Sequence, residues 1–232
     1  MTTFEQERNR LREKTWALLD LKPGDHVLDV GVGHIAYSRN KLIELGTRFT
    51  SIDLDWSILS KHKTAKADSV QCNAAQLPFR DQVFELALAN FTFHEIDPAL
   101  HRAVISEFCR VSERMVIVEP DVSEDPLCRR FQEIWTVSMH SIHKFEDYKT
   151  LDGWTDMIKS GGVRITTTQK LRSSVRLCGR EAMDYMETVV DNLLAEGVPD
   201  QYILEMKDLA QDVVKKGMIF SDVDVITGRT RK

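Results

Sequence analysis

The sequence predicts an α/β protein built on a mostly parallel sheet, and three observations carry that prediction. Between residues 26 and 120, apolar segments of strand length alternate with stretches of helical periodicity. A glycine turn, Gly31-Val32-Gly33, directly follows the first apolar strand. The next strand ends on an acid, Asp53, twenty positions after Gly33.

Taken in order, Leu11, Thr15, Leu18 and Leu19 recur at helical spacing, which predicts an N-terminal helix within residues 1–22, closed by Lys22-Pro23-Gly24. HVLDV (26–30) is the first strand, and AYSRNKLIELG is a helix stopped by Gly46. RFTSID (48–53) is the second strand, and a short polar helix follows Asp55. SVQCN (69–73) and FELALANF (84–91) are the third and fourth strands, the latter apolar enough for burial on both faces. Pro98 opens a helix over 98–110, and RMVIVEP (114–120) is the fifth strand. Helices over roughly 126–146 and 152–160 lead through Gly161-Gly162 into the strand VRITTTQKLRSSV. Two amphipathic helices then fill 179–216, with Gly197 and Pro199 between them, and MIFSDVDVITG (218–228) is the last strand. The whole chain, 1–232, is expected to form one domain, with 179–216 as a helical insertion.

Composition narrows the function. Charged residues make up 29% of the chain, the formal net charge is −5, and no Lys/Arg block stands out, so nucleic acid is not an expected partner. The N-terminus, MTTFEQERNRLREK, lacks the apolar core of a signal peptide or membrane span, which gives a cytoplasmic expectation with no membrane partner. Cys72, Cys109, Cys128 and Cys178 show no CxxC spacing and read as free thiols, not nucleophiles.

The glycine loop and the distal acid together point to a nucleoside cofactor. GVGHIA (31–36) satisfies the dinucleotide pattern GxGxxG/A, so a nicotinamide oxidoreductase is one reading. Asp29, two residues before the first glycine, would repel a pyrophosphate and attract a cofactor that carries an ammonium group. Its sign favours a methyl donor of the S-adenosylmethionine type.

LDVGVG, IDLDWSIL, CNAAQLPF and LANFTFHEI, in that order, resemble the motifs of class I S-adenosylmethionine-dependent methyltransferases, in particular the small-molecule branch that includes ubiquinone/menaquinone methyltransferase-like proteins. RMVIVEP and KTLDGWTDMIKSGG extend the resemblance. It implies a Rossmann-like fold with a seven-stranded, mostly parallel sheet whose last strand is antiparallel. It implies methyl transfer to a small-molecule acceptor by in-line displacement, with S-adenosylmethionine as cofactor and no metal. It also implies roles: Asp29 orients the methionine ammonium, Gly31 and Gly33 make room for the methionine portion, Asp53 takes the ribose hydroxyls and Leu54 packs on adenine. Asn73 stands where the family often has Asp, Ala74 offers its backbone N–H to the ring, and the Asn90 carbonyl lies near the ammonium. Ile35 replaces the last glycine of the usual GxGxG and is expected to pack under the following helix.

His94 is the one candidate catalytic residue, a general base past the fourth strand, although a capping or orienting role is also open to it. Glu119 could touch substrate or cap the next turn. His140 and His143 read as solvated or packed, not as metal ligands. Phe131, Trp135 and Tyr185 are candidates to line an acceptor pocket, and the helices 179–216 a lid or a homodimer interface. The alternative reading is a methyltransferase-like cofactor-binding or regulatory protein without turnover.

Overall fold

A computed structural model describes residues 2–33, 36–65 and 67–230. The elements run α1 (Thr3–Leu18), β1 (His26–Val30), α2 (Tyr37–Glu44), β2 (Arg48–Asp53), α3 (Trp56–Lys61), β3 (Asp68–Gln71), β4 (Phe84–Asn90), α4 (His101–Val111), β5 (Ser112–Pro120), α5 (Pro126–Ser141), α6 (Leu151–Ser160), β6 (Arg164–Leu171), β7 (Arg176–Leu177), α7 (Gly179–Ala195), α8 (Asp200–Lys216), β8 (Met218–Ile219) and β9 (Val223–Arg229). Two 3₁₀ turns, Phe93–Glu95 and Pro98–Leu100, lie between β4 and α4. The chain groups into two compact units. One is Met1–Thr15, Pro120–Thr150 and Lys170–Val223; the other is Trp16–Glu119, Leu151–Gln169 and Asp224–Lys232.

The second unit carries the sheet, seven strands in the order β3-β2-β1-β4-β5-β9-β6 with one antiparallel member. β1 pairs in parallel with β2 (Val27 against Phe49) and with β4 (Val27 against Leu86), and β4 pairs in parallel with β5. Strand order therefore reverses between β1 and β4, which opens a crevice at their carboxyl ends. The centre is buried because its sequence permits it. Leu86, Ala87, Leu88 and Ala89 of β4 are all inaccessible, as a strand covered on both faces requires. One face packs Leu28, Val30 and Ile52 with Phe93, Val104, Phe108 and Trp154.

The first unit is helical. Met186, Val189 and Leu193 of α7 interlock with Ile203, Met206, Leu209 and Val213 of α8, and Ile134 and Met139 of α5 join the same core. The methionines of the helical pair are thus mainly core filler, with Met183 partly exposed.

Several boundaries differ from the sequence expectation, each for a local reason. The last strand, expected over 218–228, is broken: Met218–Ile219 pairs antiparallel with Arg176–Leu177, and only Val223–Arg229 enters the main sheet. Asp222 makes the break, since its carboxylate accepts from the Ser173 N–H at 2.9 Å and its carbonyl from the Asp121 N–H at 2.9 Å. The helix expected to reach 146 ends at Ser141, because His143 turns left-handed (φ 61°) and the Lys144 N–H closes back on the Met139 carbonyl. The helix expected from Pro98 begins as a 3₁₀ turn capped by Asp97 and becomes α-helical at His101. α1 stops at Leu18, before the left-handed Asp20. β3 ends at Gln71, so Asn73 lies in the following turn. Ile35 lies outside the described residues.

Candidate functional site

The carboxyl ends of β1, β2, β4 and β5 meet around the glycine loop. Gly31 and Gly33 both adopt positive φ (77° and 64°), which admits glycine at little cost. At Gly31 a Cβ would lie 2.6 Å from the Thr92 side chain, whereas at Gly33 no heavy atom of the described residues, its chain neighbours aside, lies within 4 Å of that position. The last left-handed residue of the loop is Ala36 (φ 45°), immediately before α2. Asp53 reaches across from β2, where Oδ2 accepts from the Val32 N–H at 3.0 Å and Oδ1 from the Asp55 N–H at 3.0 Å. Leu54 beside it is 68% exposed.

From β4, the Asn90 amide donates to Ser38 Oγ at 3.0 Å, which ties the strand end to α2. Phe91 then turns left-handed (φ 56°) with its ring 43% exposed. Thr92 Oγ1 donates to the Val30 carbonyl at 3.0 Å, so this turn grips the glycine loop. The buried Glu119 at the end of β5 holds the same turn. Its Oε1 accepts from the backbone N–H groups of Thr92 (3.0 Å) and Phe93 (2.7 Å), and Oε2 lies 2.5 Å from His94 Nδ1. A carboxylate facing Nδ1 keeps the hydrogen there and makes Nε2 the basic nitrogen of the neutral ring.

Comparison with known proteins matches residues 28–115, from β1 into β5, to a family model described as "Methyltransferase domain". Over these residues the chain is similar to a methyltransferase domain. The chain is 31% identical over 120 residues to demethylmenaquinone methyltransferase of Corynebacterium glutamicum, an overlap of 50% of each chain. It is 31% identical over 111 residues to the protein of that name from a Mycobacterium species, 47% of each. The chain thus spans about half the length of the curated relatives it matches. Among solved structures, the YcgJ protein of Bacillus subtilis has a TM-score of 0.64 at 14% identity, covering 95% of this chain and 99% of that one. The cyclase SpnF has a TM-score of 0.64 at 17% identity, over 99% and 84%. Phosphoethanolamine N-methyltransferase 2 of Haemonchus contortus, solved with S-adenosyl-L-methionine, has a TM-score of 0.59 at 15% identity, over 95% and 53%. At these identities the structural likenesses establish the fold.

Within the matched residues, Gly31, Gly33, Asp53, Leu54 and Asn90 stand at the crevice end of the strands, with His94 on the turn after β4. Asn73 and Ala74 stand in the turn after β3, where Asn73 Oδ1 already accepts from the Ala75 N–H at 2.8 Å. Asp29 faces the interior: it is 1% exposed and accepts from Ser51 Oγ at 2.8 Å. Burial pushes its carboxyl up to about 6; the Ser51 hydroxyl and the Arg39 guanidinium oppose the rise and Asp53 adds to it. Arg39, from α2, is itself buried and depressed by desolvation, with Asp29 opposing. Its Nη2 donates to Ser69 Oγ at 3.2 Å, its guanidinium lies over the Phe49 ring, and among the described residues Nε and Nη1 have no hydrogen-bond partner.

Sequence reasoning missed Arg39, which stands outside the motifs, and Thr92, which lies within LANFTFHEI but whose bond to the Val30 carbonyl only the fold creates. It left Glu119 between two roles, and the structure has it holding a turn. Phe131, Trp135 and Tyr185 do come together in the helical unit: Phe131 stacks on Trp135 (6.0 Å) and neighbours Tyr185 (6.4 Å), which meets Phe220 edge-on. His140 stands 3.6 Å from Asp147, and among the described residues neither it nor His143 joins a cluster of metal-ligand geometry. Cys72, Cys109 and Cys128 have thiols pushed up by burial, which keeps them protonated and inert.

Two outcomes are expected. Gly31→Ala destabilises the protein by about 2–4 kcal/mol, combining left-handed strain with the clash against Thr92; Gly33→Ala carries the strain alone, about 1–2 kcal/mol, and denaturant melts of the two variants test the order. Because the Asp29 carboxyl lies near 6 when folded and near 3.9 when unfolded, its contribution is fully present below pH 4 and is lost as pH rises through 6. The unfolding free energy of the wild type relative to Asp29→Asn should therefore fall by roughly 3 kcal/mol between pH 4 and pH 8, read from urea melts.

Proposed function

We propose that the chain binds S-adenosylmethionine at the glycine loop and transfers its methyl group to a small-molecule acceptor by direct in-line displacement. One observation carries this reading: at the point where strand order reverses, an open glycine loop faces a carboxylate with an exposed apolar side chain beside it. The residues present fit such a group. Among the described residues nothing beyond its chain neighbours crowds Gly33, Asp53 retains acceptor capacity for sugar hydroxyls, and Leu54 offers an apolar face for a base. Asp29, two residues before Gly31, acts through the field it places under the loop, since its carboxylate is turned to Ser51 and Arg39.

When bound, the cofactor supplies a methyl group on a sulfonium, which departs without a covalent enzyme intermediate. What remains for the chain is to position and to move one proton. Asp53 orients the donor through its remaining acceptor capacity. His94, its Nδ1 held by Glu119, presents Nε2 as the group that takes the acceptor's proton where the nucleophile must lose one. The relatives named demethylmenaquinone methyltransferases make a quinol the first acceptor to try, and a homodimer through helices 179–216 belongs to the same reading. A second reading, cofactor binding without methyl transfer, draws on the likeness to SpnF, whose name is that of a cyclase on the same fold.

Calorimetric titration with S-adenosylmethionine, S-adenosylhomocysteine and NAD tests the assignment. The two sulfur compounds should bind and NAD should not, and Asp53→Ala should cost about 1–3 kcal/mol of that affinity. Binding of NAD alone would overturn the reading. His94→Gln should leave cofactor affinity unchanged and lower turnover of a quinol acceptor by about 10²-fold or more; unchanged turnover would remove the base role.

A further inference from the structure

The helical pair carries a surface that the proposed chemistry does not use. Between α7 and α8 runs an open groove of about 540 Å³, floored by Met186, Val190 and Val214. Apolar side chains continue it at helical spacing: Met183 is 37% exposed at one end, and Leu194 (51%) and Leu204 (64%) are exposed toward the turn at the other. The rails have opposite charge. Glu187 and Asp191 line the α7 side, Lys207 and Lys215 the α8 side. Among the described residues, Glu187, Asp191 and Lys207 enter no ion pair within the chain.

We propose that this face binds a second copy of the chain about a two-fold axis running along the groove. Rotation about that axis lays α7 of one protomer on α8 of its partner at the same height, so the apolar seams close on each other as a four-helix bundle. Glu187 stands eight residues before the last residue of α7 and Lys207 seven after the first of α8. Both therefore lie about 11–12 Å from the turn, at 1.5 Å of rise per residue. Glu187 meets the partner's Lys207, and Lys207 the partner's Glu187. The other in-plane axis would set the acidic rail of α7 on itself, so charge selects between the two arrangements.

Sedimentation equilibrium on the full chain tests this. The wild type should be a dimer at concentrations up to about 100 µM, a range in which a modest isologous interface associates. Glu187→Lys and Lys207→Glu, both at exposed positions, should each weaken self-association at least about 10-fold by setting like charges face to face. Mixing the two variants in equal amounts should restore the dimer, because each supplies the charge the other lacks. Circular dichroism of each variant separates a lost interface from a lost fold. A wild type that stays monomeric, as it would if the groove served a foreign helix or a lipid chain, overturns the proposal. So does a single variant that dimerises as the wild type does, or a mixture that does not recover.

Discussion

The carboxylate of Glu119 is the point from which the rest of the site hangs. It lies at the end of the fifth strand with no access to solvent, and it satisfies two backbone donors and an imidazole on the turn that follows β4. A buried amide without an acceptor costs of order 1–3 kcal/mol, so without this carboxylate the turn would lose its seat. Through Thr92 the same turn reaches the Val30 carbonyl, and through Thr92 again it sets how much room Gly31 has. One side chain on β5 thus fixes the spacing between the glycine loop and the end of β4. Two non-glycine residues, Ala36 and Phe91, sit left-handed at the rim of that crevice. Backbone strain of this kind persists where surrounding bonds over-determine it, and at Phe91 those bonds are its N–H to the Val118 carbonyl and the Glu119 and Val30 bonds of the residues that follow.

Charge is arranged in two depths. At the crevice, Asp53 is partly exposed and bonded to backbone amides, so it keeps its capacity to accept from a ligand. Beneath it, Asp29 and Arg39 are both inaccessible, and the charge of each limits the other's desolvation penalty. Burying such a pair seldom stabilises a fold relative to apolar packing.

Much of this was legible in the sequence. The strands HVLDV and RFTSID have the predicted limits, and the helical pair fills 179–216 as its apolar spacing requires. The glycine turn and Asp53 meet because consecutive parallel strands bring their carboxyl ends together. What was not legible depends on contacts distant in sequence. Nothing local marks Asp222 as the residue that splits the last strand, since its partners Ser173 and Asp121 are far off in the chain. Nothing marks His143 as a left-handed helix end, because the residue there is not glycine. Arg39 reads as an ordinary polar position on a short helix, and only the packing of α2 on the sheet buries it. The direction of Asp29 was open for the same reason: a strand's alternation says that a side chain faces a layer, not what that layer holds.

The two outer strands of the main sheet also have a bearing on how the protein keeps to itself. β6 runs Arg-Ile-Thr-Thr-Thr-Gln-Lys-Leu and is largely exposed, and β3 at the other margin is only four residues long and begins on Asp68. A margin of threonines, glutamine and lysine, or one too short to template a ladder, is a poor seed for strand addition from another chain. The sheet thereby resists the polymerisation to which an open sheet is prone, through the composition of one margin and the shortness of the other.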